Sequence, residues 1–415
     1  MLPSRLYCYV CRLAVVVASI GGLNRYASTA EADTLKTLYW EASQLESVRR
    51  APDEQGGAVR QALKDLRKAA DDSLNSSPFS VVDKSITPPS GDKHDYLSYS
   101  RYWWPNPKTV NGLPYVRRDG QVNHALLEKG DRVAIGRFCD DFETLAIAAY
   151  VFGDDRYSKR AAELLRTWFL DAKTRMNPNL NFSQGVPGVA DGRAPGVLDT
   201  RHFIRVLDGV ALLDSRGELT EGELSELRTW FSEFLNWLLT SELGQNERRA
   251  ANNHGAWFAA QAGRIALFIG ETEVARSLVA ETRDQRIASS IAADGSQPEE
   301  LERTNSLHYS LFSLSAMAVL ARLGEEVDID LWRYEAPTGA SLARALNYAA
   351  PFVAEQDKWR QTNIDRFEMS DQQSQLFYLA ASRLADRRYL DYLHRSPKRY
   401  HGRHFTPLLF LESNR

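Results

Sequence analysis

Apolar residues recur along most of the chain at the three-to-four-residue spacing of amphipathic helices. Strand-like alternation of apolar and polar residues is rare. This pattern predicts an all-α protein, because each helix presents one apolar stripe to a shared core. Helical spacing covers residues 33–74, 141–171, 201–214, 220–240, 252–269, 272–292, 306–323, 340–355 and 373–391.

Short turns between the helical stretches predict antiparallel helix pairs. Gly153-Asp154-Asp155 separates two helices, and Thr220 with Glu223 forms a capping-box signature at the start of another. A long series of helix pairs buries every apolar face when it curls into a ring. We therefore expect an (α/α) toroid, an incomplete helical barrel of antiparallel hairpins, formed by a single domain over residues 33–415.

Two polar stretches, residues 75–122 and 177–199, interrupt the helical pattern. The first contains Tyr102, Trp103 and Trp104, and disordered segments normally lack such residues. Long loops in compact domains are often functional, so we interpret this stretch as an ordered aromatic loop that lines a groove. The alternative is that the same rings fill one end of the core.

The start of the chain has the pattern of a secretion signal. Arg5 and Arg12 precede a short apolar run, residues 13–23, and small residues follow at 27–32. The run is too short to span a bilayer as a helix. We expect a cleaved signal peptide over residues 1–32 and a secreted or periplasmic protein with no membrane association after processing. The alternative is a lipid-associated anchor or an unprocessed tail.

Composition argues against several partners and cofactors. The 415 residues carry a formal net charge of -3, so the basic excess typical of nucleic-acid binding is missing. Removal of the signal would take away Cys8 and Cys11 and leave Cys139 without an intrachain disulfide. No His-x-x-x-His motif or dense carboxylate cluster indicates a metal site. We expect a monomer that uses no metal or cofactor.

Candidate chemistry is concentrated where the helical stretch 252–269 begins. Asn252, Asn253 and His254 stand together there. Asn is a preferred helix cap, so capping explains one of the two amides, with His254 as an interior residue. Capping does not explain the second amide beside an imidazole, and we interpret the three residues as part of a site.

A second candidate group contains Arg303 and Tyr309, which are six residues apart. On one ideal helix this interval would place the two side chains about 120° apart. They can converge only if Arg303 lies in the approach to a helix that begins at about Ser306. The alternatives are a surface salt bridge from Arg303 to Glu299 or Glu300, and a core position for the Tyr309 ring.

The order Asn-Asn-His, then Arg, then Leu-His-Tyr in a helix resembles the alginate-lyase superfamily of polysaccharide lyases, which includes families five and thirty-eight. The Tyr-Trp-Trp-Pro-Asn-Pro end of the aromatic loop resembles the same group, and the resemblance spans about residues 90–390. The six-residue interval is similar to family thirty-eight, which is associated with glucuronan as well as alginate; family five usually has seven. The resemblance implies the toroid and assigns the catalytic set to Asn253, His254, Arg303 and Tyr309.

Such a lyase removes the C5 proton of a 4-linked uronate and expels O4 by β-elimination. Asn253 and Arg303 would hold the carboxylate and its developing charge through N–H groups. In β-D-mannuronate and β-D-glucuronate the proton and O4 lie on one side of the ring, so Tyr309, with a pKa lowered by Arg303, could serve as base and then acid. In L-guluronate they lie on opposite sides, and His254 would be the base.

Further positions are expected to bind the rest of an anionic polysaccharide, the anticipated partner. Aromatic rings would stack on sugars, and arginines would meet carboxylates. For Arg201 and His202 the alternative is an exposed helix start, and Glu300 is expected to orient Arg303. The expected substrate-binding residues are Tyr102, Trp103, Trp104, Arg101, Arg201, His202, Asn252 and Glu300.

Two other classes of function stay open on the sequence. A glycoside hydrolase on a similar toroid needs two positioned carboxyl groups, but Asp199, Asp294, Glu299 and Glu302 form no recognisable pair. A non-catalytic glycan-binding protein would need the aromatic loop but not the Asn, His, Arg and Tyr set. A lyase product absorbs ultraviolet light through its conjugated double bond, which distinguishes the lyase from both alternatives.

Overall fold

Helices dominate the structure, a computed structural model that describes residues 35–52, 56–76, 79–399 and 404–410. The expected signal peptide, with Cys8 and Cys11, lies outside the described residues. The chain from Leu35 onward forms one compact unit. No helix within the described ranges combines the length and the apolar character needed to cross a bilayer.

Most of the α-helices follow one another with short connections. They are α1 (Ala42–Arg50), α2 (Gly57–Leu74), α3 (His124–Leu127), α4 (Arg132–Phe152), α5 (Asp155–Phe169), α6 (Phe203–Asp214), α7 (Glu221–Thr240), α8 (Glu242–Arg248), α9 (Asn253–Ile269), α10 (Thr272–Glu281), α11 (Ile287–Ser290), α12 (Pro298–Leu301), α13 (Ser306–Glu326), α14 (Leu342–Ala349), α15 (Asp371–Arg383), α16 (Arg388–Arg395) and α17 (Thr406–Leu409). A π-helical turn, Thr282–Arg286, joins α10 to α11, and a 3-10 helix, Ala194–Thr200, precedes α6.

One set of helices forms a closed ring of contacts. In this ring α2 packs on α4, α4 on α6, α6 on α9, α9 on α13, α13 on α15, α15 on α17, and α17 again on α2. Other helices pack against members of the ring: α5 on α4, α7 and α10 on α9, and α16 on α15. Because connections such as Gly153 are short, the paired helices run antiparallel. The all-α toroid predicted from the hydrophobic pattern is confirmed.

The centre of the unit is built from two helices that are buried on almost every side. Residues 255–266 of α9 and residues 313–324 of α13 are all buried. The two helices pack directly against each other. Removal of this much apolar surface from water is the main force that holds the ring together.

Two small strand pairs lie in the loops between helices. The strands are β1 (Leu97–Tyr99), β2 (Trp103–Trp104), β3 (Val116–Arg117) and β4 (Phe182–Gly185). β1 pairs in parallel with β4, and β2 pairs in antiparallel fashion with β3. The first pair joins the two polar stretches of the sequence, so their described residues lie side by side at these strands.

The sequence signals for the end of α4 and the start of α7 are confirmed, and the differences from the predicted elements have simple causes. Gly153 ends α4 in a left-handed conformation, and Thr220 with Glu223 forms a reciprocal capping box at α7. The helical prediction for 33–74 is wrong in part, because residues 35–40 are not helical. The hydrophobic pattern does not predict the strands, because two to four residues are too few to show alternation.

The backbone at the start of the described chain is not helical, and its N–H groups donate hydrogen bonds to the carboxylate of Asp208 of α6. Its carboxylate accepts from the backbone N–H groups of Leu38, Tyr39 and Trp40 at 2.6–3.1 Å and from the Arg264 guanidinium at 2.9 Å. Complete burial raises the pKa of Asp208, and Arg264 and the N–H groups oppose this rise. A buried carboxylate is tolerated only with such a set of donors.

Replacing Asp208 with Asn is expected to destabilise the protein by about 3–5 kcal/mol, because Arg264 would stay buried without its counter-charge. Chemical unfolding followed by circular dichroism measures the effect. Asp214→Asn, at the exposed end of the same helix, is the matched control and should stay within about 0.5 kcal/mol of the parent protein. An Asp208→Asn protein as stable as this control would contradict the assigned role.

Candidate active site

An open cleft of about 970 Å³ is lined by all of the residues expected to be catalytic, Asn253, His254, Arg303 and Tyr309. Asn253 and His254 begin α9, whereas Tyr309 lies in the first turn of α13 and Arg303 in the turn before it. Packing of α9 on α13 brings the two helix starts together. The prediction that Arg303 precedes a helix beginning at Ser306 is confirmed.

The first turn of α9 is built around Asn252 and Asn253. The Asn252 side chain caps the helix by accepting a hydrogen bond from the backbone N–H of His254 at 3.1 Å. The fully buried Asn253 donates to Glu300 through its backbone and its side-chain amide, at 2.5–3.0 Å. The Asn253 side-chain oxygen has no partner among the described residues. The amide N–H groups that we expected to meet a substrate are therefore already bonded to Glu300.

His254 is oriented by Glu247 of α8, a residue that the sequence did not single out. Its Nδ1 lies 2.6 Å from a Glu247 carboxylate oxygen, and only 3% of the Glu247 side chain is exposed. Because an ionised carboxylate only accepts, this contact favours the tautomer with a proton on Nδ1, in which Nε2 is the acceptor. Burial raises the pKa of Glu247, and the hydrogen bond with His254 opposes the rise. A histidine held in this way can accept a proton through Nε2.

The Tyr309 phenol contacts one hydroxyl and one cation. Its oxygen forms a 2.8 Å hydrogen bond with the hydroxyl of Tyr102. The Arg303 guanidinium lies over its ring, 3.7 Å from the centroid. Burial, and after it Tyr102, raises the pKa of Tyr309, while Arg303 opposes the rise. The expected lowering of this pKa is therefore wrong for the substrate-free protein, because desolvation of the phenolate outweighs the attraction of Arg303.

Arg303 is held by Asp119 of the aromatic loop and not by Glu300 as expected. Its Nε and Nη2 approach the two carboxylate oxygens of Asp119 at 3.4 and 3.2 Å. The same carboxylate accepts from the Thr304 hydroxyl at 3.2 Å and pairs with Arg117 at 2.6 Å. The loop thus provides the counter-charge that fixes Arg303 beside the phenol.

The cleft contains arginines whose charge is not neutralised by a carboxylate of the described residues. Arg101 and Arg201 have no carboxylate partner in the described ranges, and the Nε of each is buried without an acceptor. Burial, together with Arg132 and Arg101, lowers the pKa of Arg201 to about 9. Depth in the cleft and the charges of Arg101 and Arg201 lower the pKa of His308 to about 4. Burial is the largest cause of both pKa shifts, and the positive neighbours add to it. An anionic ligand would offset this positive charge.

Some of the expected substrate-binding residues lie outside the cleft. Trp104 does not line it, and its indole N–H donates to the loop backbone at 3.0 Å. His202 faces a separate, smaller cavity and contacts Arg205 at 2.8 Å, while Glu300 is buried beneath the start of α9. No group of three or more His, Cys, Asp or Glu side chains in the described part of the chain could hold a metal ion. The expected binding residues that do line the cleft are Arg101, Tyr102, Trp103, Arg201 and Asn252.

The buried carboxylate of Asp199 joins the loops that surround the cleft. It accepts hydrogen bonds from Tyr96 at 3.0 Å, Ser98 at 2.6 Å, Arg132 at 2.7 Å and Gln184 at 3.0 Å. These donors come from both polar stretches and from the start of α4. Asp199 is thus engaged structurally and is not available as the acid of a hydrolase. Its role could not be predicted because its donors are distant in sequence.

The structure thus combines an all-α toroid with Asn253, His254, Arg303 and Tyr309 around one cleft, as the resemblance to the polysaccharide lyases implied. The sequence profile of the alginate lyase family matches residues 80–359. A crystal structure of an alginate lyase from Bacteroides ovatus is 32% identical, with a TM-score of 0.85 over 91% of this chain and 100% of that chain. The chain therefore belongs to the alginate lyase family, and the resemblance read from its motifs is confirmed.

Other solved structures share the fold at lower identity. A variant of alginate lyase A1-III in complex with a tetrasaccharide is 16% identical, with a TM-score of 0.58 over 92% of this chain and 98% of that chain. Alginate lyase A1-III from Sphingomonas species A1 is 15% identical, with a TM-score of 0.53 over 84% of this chain and 95% of that chain. A comparison with curated protein sequences found no significant match.

Replacing Glu247 with Gln is expected to lower the turnover number by about a hundredfold, because an amide can offer Nδ1 either a donor or an acceptor and no longer fixes the tautomer of His254. Nitrogen NMR of the imidazole reports the tautomer directly. Glu242→Gln, at the start of the same helix, is the control and should keep normal turnover. Full turnover in the Glu247→Gln protein, with Nδ1 still protonated, would contradict the positioning role.

Proposed function

We propose that the protein cleaves 1,4-linked uronic-acid polymers, glucuronan and/or alginate, by β-elimination, with a preference for chains of the mannuronate type. The observation that carries the proposal is the meeting of His254, Tyr309 and Arg303 in one positively charged cleft. The tetrasaccharide complex of alginate lyase A1-III supports an oligosaccharide as the ligand. The product would carry a 4,5-unsaturated uronate at its new end.

The barrier to this reaction is largely electrostatic. Removal of the C5 proton, next to a carboxylate that is already negative, forms a dianion-like intermediate. Fixed cationic donors stabilise such charge without reorganising during the reaction. Arg101 and Arg201, which pair with no carboxylate of the described residues, suit the substrate carboxylate. Arg303, already bonded to Asp119, is better suited to stabilise negative charge on the neighbouring phenol.

Tyr309 is our candidate for the acid that protonates the departing O4. Its raised pKa keeps the phenol neutral at ordinary pH, and the neutral phenol is the form that can deliver a proton. Negative charge that builds up on the leaving oxygen would draw this proton across. Arg303 then stabilises the phenolate until the proton is recovered.

His254 is our candidate for the base in guluronate, where the C5 proton and O4 lie on opposite sides of the ring and two groups are needed. Glu247 favours a proton on Nδ1 and leaves Nε2 to accept the proton from C5, with Tyr309 as the acid. In mannuronate and glucuronate the C5 proton and O4 lie on one side, so Tyr309, with Arg303 beside it to stabilise the phenolate, can serve as base and then acid. This route through a single residue is the basis for the proposed preference.

The enzyme must be located where its polymeric substrate is found. A long anionic polysaccharide does not cross a membrane unaided, so the substrate and the enzyme should meet outside the cytoplasm. We therefore infer that residues 1–32 direct secretion or periplasmic export and are removed, and that the domain of residues 33–415 acts as a monomer.

A glycoside hydrolase on the same toroid would need two positioned carboxyl groups. Asp199 is saturated by hydrogen-bond donors, and Asp294 lies exposed in a turn. Glu299 and Glu302 line the cleft, but both are exposed side chains. The identity of the product, unsaturated or saturated, decides between the two reactions.

Tyr309→Phe is expected to lower formation of unsaturated product by at least about a hundredfold while leaving the fold intact, because only the proton donor is removed. Absorbance of the conjugated double bond measures the product. Tyr348→Phe, on α14 and away from the cleft, is the matched control with normal turnover. Near-normal turnover in a folded Tyr309→Phe protein would reject the role of Tyr309 as acid.

A panel of glucuronan, polymannuronate, polyguluronate and hyaluronan tests the substrate class. We expect ultraviolet-absorbing product from one or both of the first two polymers and slower or no product from polyguluronate. Hyaluronan, in which glucuronate alternates with a neutral sugar, should be a poor substrate. New reducing ends without ultraviolet absorbance would indicate hydrolysis and would overturn the proposal.

A further inference from the structure

The arginines that line the cleft differ in whether a carboxylate neutralises them. Arg132 pairs with Asp199 at 2.7 Å, and Arg303 pairs with Asp119 at 3.2 Å. Arg193 also lines the cleft but has no carboxylate partner in the described part of the chain. An uncompensated guanidinium in a partly buried site favours an anion from outside the protein.

Arg193 is held in a defined orientation. Its guanidinium lies over the Trp103 ring, 5.5 Å from the centroid, and Nη1 donates to the Ser100 hydroxyl at 3.3 Å. This single side-chain hydrogen bond leaves most of its five N–H donors without a partner in the described chain. Burial and the nearby Arg117 lower the pKa of Arg193, and Glu247 opposes this effect.

The backbone that carries Arg193 is rigidly packed. Arg193 precedes the 3-10 helix Ala194–Thr200, and its N–H donates to the carbonyl of Ser183 at 2.9 Å. A Cβ at Gly192 would lie 1.9 Å from the Asn181 carbonyl oxygen, so this glycine permits a close approach of two chain segments. A side chain on a rigidly packed backbone loses little conformational entropy when it binds a ligand.

Arg193 lies over a different aromatic ring from the other uncompensated arginines. The guanidinium of Arg101 lies over the Tyr102 ring and that of Arg201 over the Phe312 ring, whereas Arg193 lies over Trp103. The cleft therefore offers positive charge in more than one place. A polymer of uronates carries a carboxylate on every sugar, so two such places match consecutive or nearby sugars of one chain.

We propose that Arg193, backed by Trp103, binds the carboxylate of a uronate that neighbours the sugar being cleaved. This inference rests on the proposed lyase function and adds a determinant of specificity to it. The enzyme would select chains in which adjoining sugars are also uronates over chains in which uronates alternate with neutral sugars. Trp103 then serves first as a support for Arg193, because the guanidinium covers one face of the ring.

Arg193→Gln tests the proposal with uronate oligomers of increasing length. For oligomers long enough to reach this position, kcat/KM should fall about tenfold to a hundredfold, mainly through a higher KM, since a charge-assisted contact is lost. For the shortest oligomers that are cleaved, the variant and the parent protein should be equal. Arg193→Lys, which keeps the charge but not the planar fork, should recover part of the loss.

The chain offers a closely matched control in Arg118. Its guanidinium also lies 5.5 Å from the centroid of a tryptophan ring, that of Trp104, but neither residue lines the cleft. Arg118→Gln removes the same charge and the same type of ring contact, so it should leave kcat/KM unchanged at every oligomer length. A loss equal to that of Arg193→Gln would attribute the effect to overall charge and overturn the proposal.

Binding measured in the Tyr309→Phe background separates this inference from the lyase function. Calorimetric titration with the longer oligomers should give a Kd about tenfold to a hundredfold weaker when Arg193→Gln is added. Equal affinities, or a loss of kcat at unchanged KM for every length, would overturn the role of Arg193. Absence of unsaturated product from the parent protein, with the difference in Kd retained, would instead refute the proposed reaction alone.

Discussion

The buried carboxylate of Asp199 is the constraint on which the cleft depends. A carboxylate removed from water needs hydrogen bonds and a counter-charge, and this one draws Tyr96, Ser98, Arg132 and Gln184 to a single point. The donors belong to three separate segments of the chain. Satisfying this one carboxylate therefore fixes both polar loops against the helical ring, and these loops carry Arg101, Tyr102, Trp103 and Arg193 of the cleft.

Two electrostatic effects oppose each other at the centre of the cleft. Burial disfavours the phenolate of Tyr309, while the guanidinium of Arg303 at 3.7 Å from the ring centroid favours it. Desolvation prevails, and the neighbouring Tyr102 hydroxyl adds to the rise in pKa. The phenol is consequently held neutral next to a cation that can stabilise its anion.

The sequence predicts the toroid because each helix carries its own periodic signal, and it places Arg303 ahead of α13 because that argument needs only local spacing. Asp119 and Arg193 could not be predicted because their partners, Arg303 and Trp103, are distant in sequence. Glu247 is close to His254 in sequence, but the two residues lie on consecutive helices, α8 and α9, so the spacing within one helix does not reveal their contact. The raised pKa of the phenol was missed because a motif reveals a neighbouring charge but not the depth of burial.

The closed ring of helices also constrains how the protein is made. α17 packs on α2, and the N–H of Glu41 bonds to the carbonyl of Leu409 at 2.9 Å, so segments that are synthesised far apart in time complete each other's contacts. Such distant contacts form late, since closing the intervening loop costs entropy. Until α17 leaves the ribosome, part of the apolar surface of α2 and α15 stays uncovered. The unfinished chain is thus a natural client for chaperones that keep nascent polypeptides from aggregating.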